Sequence, residues 1–287
     1  SCLCSCFITR RKFVTTFHGT YNFSNSLKKF YNSVMVRSKL IIAGSNFIFN
    51  HINENYEKFF KSKNKLMVIF RGINLEYFNK RNVSENKRNK LMSAWKIDLD
   101  KKTILLPGRL TFWKDQDLFI EAINILVEDY NKSNFQAIIL GSDQGRNVYS
   151  KKLFDLVRRH QLNQRIKFVT HCNEMPIAYS LSDIVVSSSI EPEAFGRVAV
   201  ESQAMEKPIV ASDIGGSKET IVNGKSGFLY KSDDPRELAK VLNNVMELDQ
   251  EALYSIGKEG RKNVTRRFDV EQMCSTTFTE YKKLFKS

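Results

Sequence analysis

The sequence predicts an α/β protein built on parallel sheets, with a complete doubly wound unit preceded by a smaller, incomplete one. Short apolar runs of strand length alternate with stretches of helical spacing, as βαβ units require. The alternation breaks once, over the polar stretch "NKRNVSENKRNKLMSAWKIDLDKK" at 79–102, and then restarts. The restarted series holds enough strands for a full sheet, and the first does not. A length of 287 residues suits two ordinary domains, and a hydrophobic content of 42% excludes a disordered chain. With no run of 18 apolar residues, no bilayer-spanning helix is expected.

The opening "SCLCSCFITRRKF" is apolar first and charged second, the reverse of a signal peptide, and lacks an initiator Met. It reads as the middle of a fold. Five cysteines argue against a disulfide framework, and Cys2, Cys4 and Cys6 alternate at no zinc spacing. A buried or clipped terminal segment in a reducing cytosol fits them. "KFVTTFHG" then reads as a strand ended by Gly, and "NSLKKFYNSVMVR" as a helix with Leu27, Phe30, Tyr31 and Val34 at helical spacing. "KLIIAGS" and "KLMVIFRGI" are strands around the helix "NFIFNHINENYEKFF". Past the break come strand "TILLPGRL", helix "DLFIEAINILVEDY", strand "FQAIILGS", helix "KKLFDLVRRHQL" and strand "IKFVT". Helix "MPIAYSLS", strand "DIVVSSS", strand "KPIVAS", "GKSGFLY" and helix "DPRELAKVLNNVMEL" follow. The expected boundaries are a partial first domain at 1–80, a linker at 81–102, a complete domain at 103–268 and a C-terminal helix at 269–287 packing back on the first.

Charge is unevenly spread. Residues 1–90 carry 17 Lys/Arg against four Asp/Glu, and the remainder 28 against 27. A basic first third attracts phosphate substrates, nucleic acid or anionic lipid, unless it is simply a solvated face. Signatures of RNA-reading or helix-turn-helix modules are lacking, so no nucleic-acid partner is expected. Lys28, Lys29, Arg37, Lys39 and the cluster from Lys58 to Lys65, next to Phe23, Leu27, Phe30 and Tyr31, make an anionic membrane surface the partner to consider.

Ligands of such sheets bind beyond the carboxyl ends of the strands. After "TILLP", Gly108 permits close backbone approach, while Arg109 offers a fork and Lys114 a point charge to a diphosphate; the alternative is two surface cations. After "DIVVSSS", Glu193 precedes a helix beginning near Phe195 or Gly196, and Glu201 lies inside it with seven residues between the two glutamates. Each carboxylate suits a vicinal diol, and the helix N-terminus offers free N–H groups. Glu201 stands among Val198, Val200, Ala204 and Met205, where a solvated charge is unexpected. His18 ends a strand at the ligand edge of the first unit, or is a structural histidine. Asp98–Asp100 and Asp115–Asp117 have a DxD look, but the first falls in the break and the second opens a helix; no metal site is expected, and no Walker or G-x-G-x-x-G pattern occurs.

Together "GRLTFWKDQDLFIEA", "TTFHGTYN" and "SLSDIVVSSSIEPEAFGRVAVESQAMEKPIVASDIGGSKETIVNGKSGFLY" resemble retaining family-4 glycosyltransferases of the GT-B fold, over nearly the whole chain. That resemblance implies two Rossmann-like domains facing a cleft, the N-terminal one on the acceptor side. It implies that Glu193 meets the donor sugar, Glu201 the ribose, and Arg109 with Lys114 the diphosphate beside Gly108. The amides of Phe195, Gly196 and Arg197 would face sugar and phosphate, His18 would lie near the transferred sugar, and base contacts would come from the backbone of His171, Cys172 and Asn173. The nucleotide sugar is then a substrate, with no cofactor, and the acceptor a saccharide or a lipid-linked one. The basic first third is similar to enzymes of lipopolysaccharide core or other envelope glycans, implying a cytoplasmic location, peripheral on the inner face of the membrane. Some 90 to 100 residues that the family carries before "KFVTTFHG" are absent, so the alternative is a truncated, non-catalytic nucleotide-sugar-binding module.

Overall fold

The computed structural model of the protein describes residues 2–21, 23–60, 65–145 and 147–286. The chain divides into two compact units, residues 1–72 with 193–195 and 267–287, and residues 73–192 with 196–266.

In the first unit, α1 (Cys2–Ile8), β1 (Val14–Phe17), α2 (Ser26–Asn32), β2 (Leu40–Ala43), α3 (Asn46–Tyr56) and β3 (Lys65–Val68) follow one another. The strands form a parallel sheet in sequential order, with Val14 beside Leu40 and Leu40 beside Lys65. β2 lies in the middle and is buried at every position, which is why "LIIA" is apolar without alternation. Phe17, Ile41, Ile48, Ile52 and Tyr56 make the core. Buried Ser45 caps α3 by accepting the N–H of Ile48 at 3.1 Å, and donates to the carbonyl of Ala194 at 2.5 Å. The C-terminal helix (Val270–Lys286) belongs to this unit. Its Glu280 pairs with Lys283 at 2.7 Å and Lys65 at 2.6 Å, and these two ammonium groups hold its carboxyl below the usual range. At Gly72 a Cβ would stand 2.4 Å from Cα of Val270, so only glycine lets the chain leaving β3 meet the start of that helix.

The second unit contains α4 (Glu85–Ala94), β4 (Lys102–Pro107), α5 (Gln116–Glu128), β5 (Phe135–Leu140), α6 (Asn147–Arg159), β6 (Ile166–Val169), α7 (Met175–Ser180), β7 (Ile184–Ser187), α8 (Arg197–Ala204), β8 (Ile209–Ser212), α9 (Ser217–Thr220), β9 (Phe228–Tyr230), α10 (Pro235–Glu247) and α11 (Gln250–Arg267). Its parallel sheet runs β6-β5-β4-β7-β8-β9. The chain steps outward from β4 through β5 to β6, then returns to place β7 on the other side of β4. That reversal opens a crevice between β4 and β7 at their carboxyl ends. Ile104, Leu106, Phe119, Ile123, Ile139, Leu153 and Leu242 are among the buried residues that lock helices onto this sheet. The expected α/β class with parallel sheets is the class observed.

Several expectations need correction. The supposed linker at 81–102 contains α4, capped by Ser84, and Trp95 at its end is only 8% exposed. Lys, Glu and Arg are good helix formers, so a helix that buries few side chains can look like a loop by composition. This stretch belongs to the second unit, as do residues 73–80: Phe78 packs on Tyr179 at 6.3 Å, Lys80 pairs with Glu206, and Arg261 donates to the carbonyl of Leu75. In α2 the helical spacing does not mark a core: Leu27, Phe30 and Tyr31 are 81%, 56% and 75% exposed, while Ser33 and Val36 in the following 3₁₀ turn are buried. The terminal cysteines are not all buried, since Cys4 is exposed. Of the lysine cluster, Lys61 and Lys63 lie outside the described residues. Among the described residues no helix is long and apolar enough to cross a membrane.

Candidate functional site

The candidate residues fall in both units. In the first, His18 directly follows β1 and is exposed; partial burial and the Arg71 guanidinium lower its pKa, which favours the neutral imidazole. Glu193 and Phe195 belong to the short segment that joins this unit, where Phe195 is buried edge-on against Phe268 with ring centroids 5.4 Å apart.

In the second unit the strand ends converge. The loop after β4 begins at Gly108, whose N–H donates to the carbonyl of Leu140 at 2.8 Å. Gly141 lies against it so closely that a Cβ there would stand 1.9 Å from the Gly108 oxygen. The exits of β4 and β5 therefore touch through backbone alone. Gln116 donates to the carbonyl of Arg109 at 2.9 Å, and Ser188, just past β7, donates to the carbonyls of Lys114 and Asp115 at 2.8 and 3.0 Å. The loop carrying the two candidate cations is thus tied to α5 and to the far side of the crevice. A Cβ at Gly108 would stand 3.7 Å from Cδ of Lys114, so the lysine stem crosses the glycine.

A pocket of about 340 Å³ opens at this edge, lined in part by Gly108, Arg109, His171, Cys172, Tyr179 and Glu201. Glu201 is 7% exposed. Its Oε1 accepts Nε and Nη2 of Arg197 at 3.1 and 2.8 Å, and its Oε2 accepts the Tyr179 hydroxyl at 2.9 Å. A carboxylate has about four lone-pair directions, so three bonds leave room for a further hydroxyl. α8 starts at Gly196 with φ +80°, a left-handed turn that favours glycine. Lys114, Gly196 and Arg197 stand outside the lining of the pocket, and Asn173 lines instead an adjoining hollow of about 380 Å³ with Lys87, Leu91 and Ile177. His171 and Cys172 line both, and burial raises the thiol pKa of Cys172.

The discounted pair Asp115 and Asp117 is occupied internally. Asp115 caps α5 by accepting the N–H of Leu118 at 3.2 Å. Burial, and then the hydrogen bond and charge of Asp117, push its carboxyl up to about 7. Asp117 is half-buried, and hydrogen bonds from Asp115, Lys152 and Tyr149 outweigh that burial and lower it. Sequence reasoning missed Tyr179 and Trp113. Tyr179 sat in an ordinary helix pattern, and only the fold brings its hydroxyl to Glu201.

A model of the family described as glycosyl transferases group 1 matches residues 87–263. The chain belongs to that family. It is similar to the capsular polysaccharide biosynthesis glycosyltransferase CapM of Staphylococcus aureus, at 26% identity over 76% of this chain and 57% of the relative. Among solved structures, a glycosyltransferase from Rickettsia africae shares 32% identity with a TM-score of 0.90, covering 100% of this chain and 74% of its own. Anabaena Alr3699/HepE, solved in complex with UDP-glucose, shares 25% identity with a TM-score of 0.82, covering 96% of this chain and 75% of its own. The chain spans 47–61% of the length of the first curated relatives it matches.

Proposed function

We propose that this chain binds a nucleotide sugar and serves in the transfer of its hexose to an acceptor, with retention of configuration. The observation that carries this is the pocket at the β4–β7 crevice, where Gly108, Arg109 and a partnered Glu201 share one lining. Glu201 takes the ribose hydroxyls, and Arg109 and Lys114 take the diphosphate. As the sugar leaves, negative charge grows on the β-phosphate, and the two cations with the α8 N-terminus stabilise it. The departing phosphate helps accept the acceptor's proton on the same face, so no carboxylate nucleophile is needed. Glu193 and neutral His18 orient the sugar. Backbone groups at His171, Cys172 and Asn173 hold the base, and neither metal nor cofactor takes part. A UDP-sugar is the first donor to test because the Anabaena neighbour was solved with UDP-glucose. An envelope glycan is the product class that the capsular relative supports.

A thermal-shift panel of UDP-, GDP- and ADP-sugars in excess EDTA, followed by calorimetry, tests the donor site. Lys114→Ala should weaken nucleoside diphosphate binding by about 1.5–3 kcal/mol, the scale of a charged hydrogen bond. Arg109→Lys should weaken it too, because a fork becomes a point charge. Unchanged dissociation constants in both variants would sink the assignment, and loss of binding in EDTA would restore a metal. Donor binding without turnover on the same sample would leave a binding module.

For the acceptor we propose a lipid-linked saccharide presented at an anionic membrane. Exposed Leu27, Phe30 and Tyr31 beside Lys28 and Lys29 on α2 support this, with Arg37 5.0 Å from the Phe30 ring centroid. At low salt the protein should sediment with anionic vesicles and not with neutral ones; equal sedimentation with both refutes it.

A further inference from the structure

Trp113 has no part in the reading above, yet it sits between the two candidate phosphate ligands in the loop from Arg109 to Lys114. The Lys114 ammonium stands over its ring, 4.7 Å from the centroid, and the Arg109 guanidinium stands over it at 5.6 Å. The backbone that carries the indole is itself anchored, because the Trp113 carbonyl accepts the N–H of Ile190 at 3.1 Å, past the end of β7. Lys114 is further confined by the crossing of its stem over Gly108. Two like charges on one short loop repel, and flexible cationic side chains lose rotamer freedom when a ligand fixes them. The negative face of an indole attracts both cations without consuming a hydrogen-bond donor.

We propose that Trp113 is a positioning residue that gathers Arg109 and Lys114 around one aromatic ring so that a diphosphate meets them already assembled. This rests on the donor-site reading, and it commits to the phosphate end of the ligand rather than to its base or sugar. An aromatic ring that merely filled space would support nucleoside and nucleoside diphosphate alike. A ring that organises the cations matters only when phosphates are present.

The test titrates the full chain and its Trp113→Ala and Trp113→Phe variants by calorimetry with UDP, GDP and ADP, and by competition with uridine, guanosine and adenosine. Trp113→Ala should weaken the preferred diphosphate by about three- to tenfold, the range of one or two exposed cation–π contacts, and shift the matching nucleoside less than about twofold. Trp113→Phe should fall between wild type and Ala, since a phenyl face holds cations less well. Diphosphate binding should also change the tryptophan emission of wild type, and Trp113→Phe should remove that change. Wild-type diphosphate affinity in Trp113→Ala overturns the proposal, as does an equal loss for the nucleoside, which would make the ring a packing residue. Lys114→Ala measured alongside separates the two levels. If it weakens the diphosphate and Trp113→Ala does not, only this inference fails; if both are silent, or if no diphosphate binds wild type, the donor site fails with it.

Discussion

Glu201 and Asp115 are both buried carboxylates at the carboxyl edge of the same sheet, 7% and 8% exposed, yet their surroundings are opposite in kind. Glu201 meets a guanidinium fork and a tyrosine hydroxyl, and one side of it opens into the pocket. Asp115 meets a second carboxylate, Asp117, with Asp233 adding further negative charge, and turns inward to cap α5. Glu201 is held by three donors that leave one acceptor direction unused, room for a ligand hydroxyl. Desolvation disfavours charge at Asp115. There a retained proton compensates it, and the group's hydrogen bonds go to the fold. Burial of an acid alone therefore does not mark a ligand site; donors that leave acceptor capacity facing a cavity do.

The comparison breaks most readily at Glu201 itself. Glu201→Ala should weaken UDP by about 1.5–3 kcal/mol and erase the preference for UDP over 3′-deoxy-UDP, measured by calorimetry. A preserved preference would mean that the ribose is held elsewhere. Tyr179→Phe removes one of the three donors and should cost about 1 kcal/mol, narrowing that preference without erasing it. An unchanged ratio would limit Tyr179 to packing.

Asp115→Asn should give the smallest effect, visible only against pH. The folded-state pKa of Asp115 is raised from 3.8 to about 7. A raised carboxyl stabilises the fold fully below its unfolded value, and that contribution is lost as pH climbs through the folded value. Wild-type urea midpoints should thus carry a downward term between about pH 4 and 7 that the Asn variant lacks. Asn also tolerates the left-handed backbone, φ +49°, found at this position. Identical pH slopes for the two proteins would show that Asp117 alone sets the pair's titration.

The alternation of strands and helices was legible because each period is a local property: "LIIA", "KTILLP" and "FQAIIL" can be little else than buried strands. Gly108, Arg109 and Glu201 were legible for a related reason. Strand ends of a doubly wound sheet collect ligands, and an acid among apolar neighbours is out of place unless partnered. α4 was not legible, because its charged residues form a helix by propensity while presenting little apolar stripe, and Trp95 is the main buried anchor at its end. The exposure of Leu27, Phe30 and Tyr31 was not legible either, since periodicity tells which residues share a face and not what that face meets.

The sequence by itself determined the two parallel sheets, the crevice edge and the identity of the groups that could face it, because backbone preference and hydrophobic period act over a few neighbouring residues. Only the tertiary structure decided what each group touches. Tyr179 and Glu201 are 22 residues apart in the chain, as are the hydroxyl and carboxylate that bond at 2.9 Å. Ser188 reaches back 74 residues to the Lys114 carbonyl. Trp113 gathers its two cations in a loop that short-range pattern leaves unspecified. Contacts of that kind depend on which strands lie side by side and on how far each side chain reaches, and no local period records either.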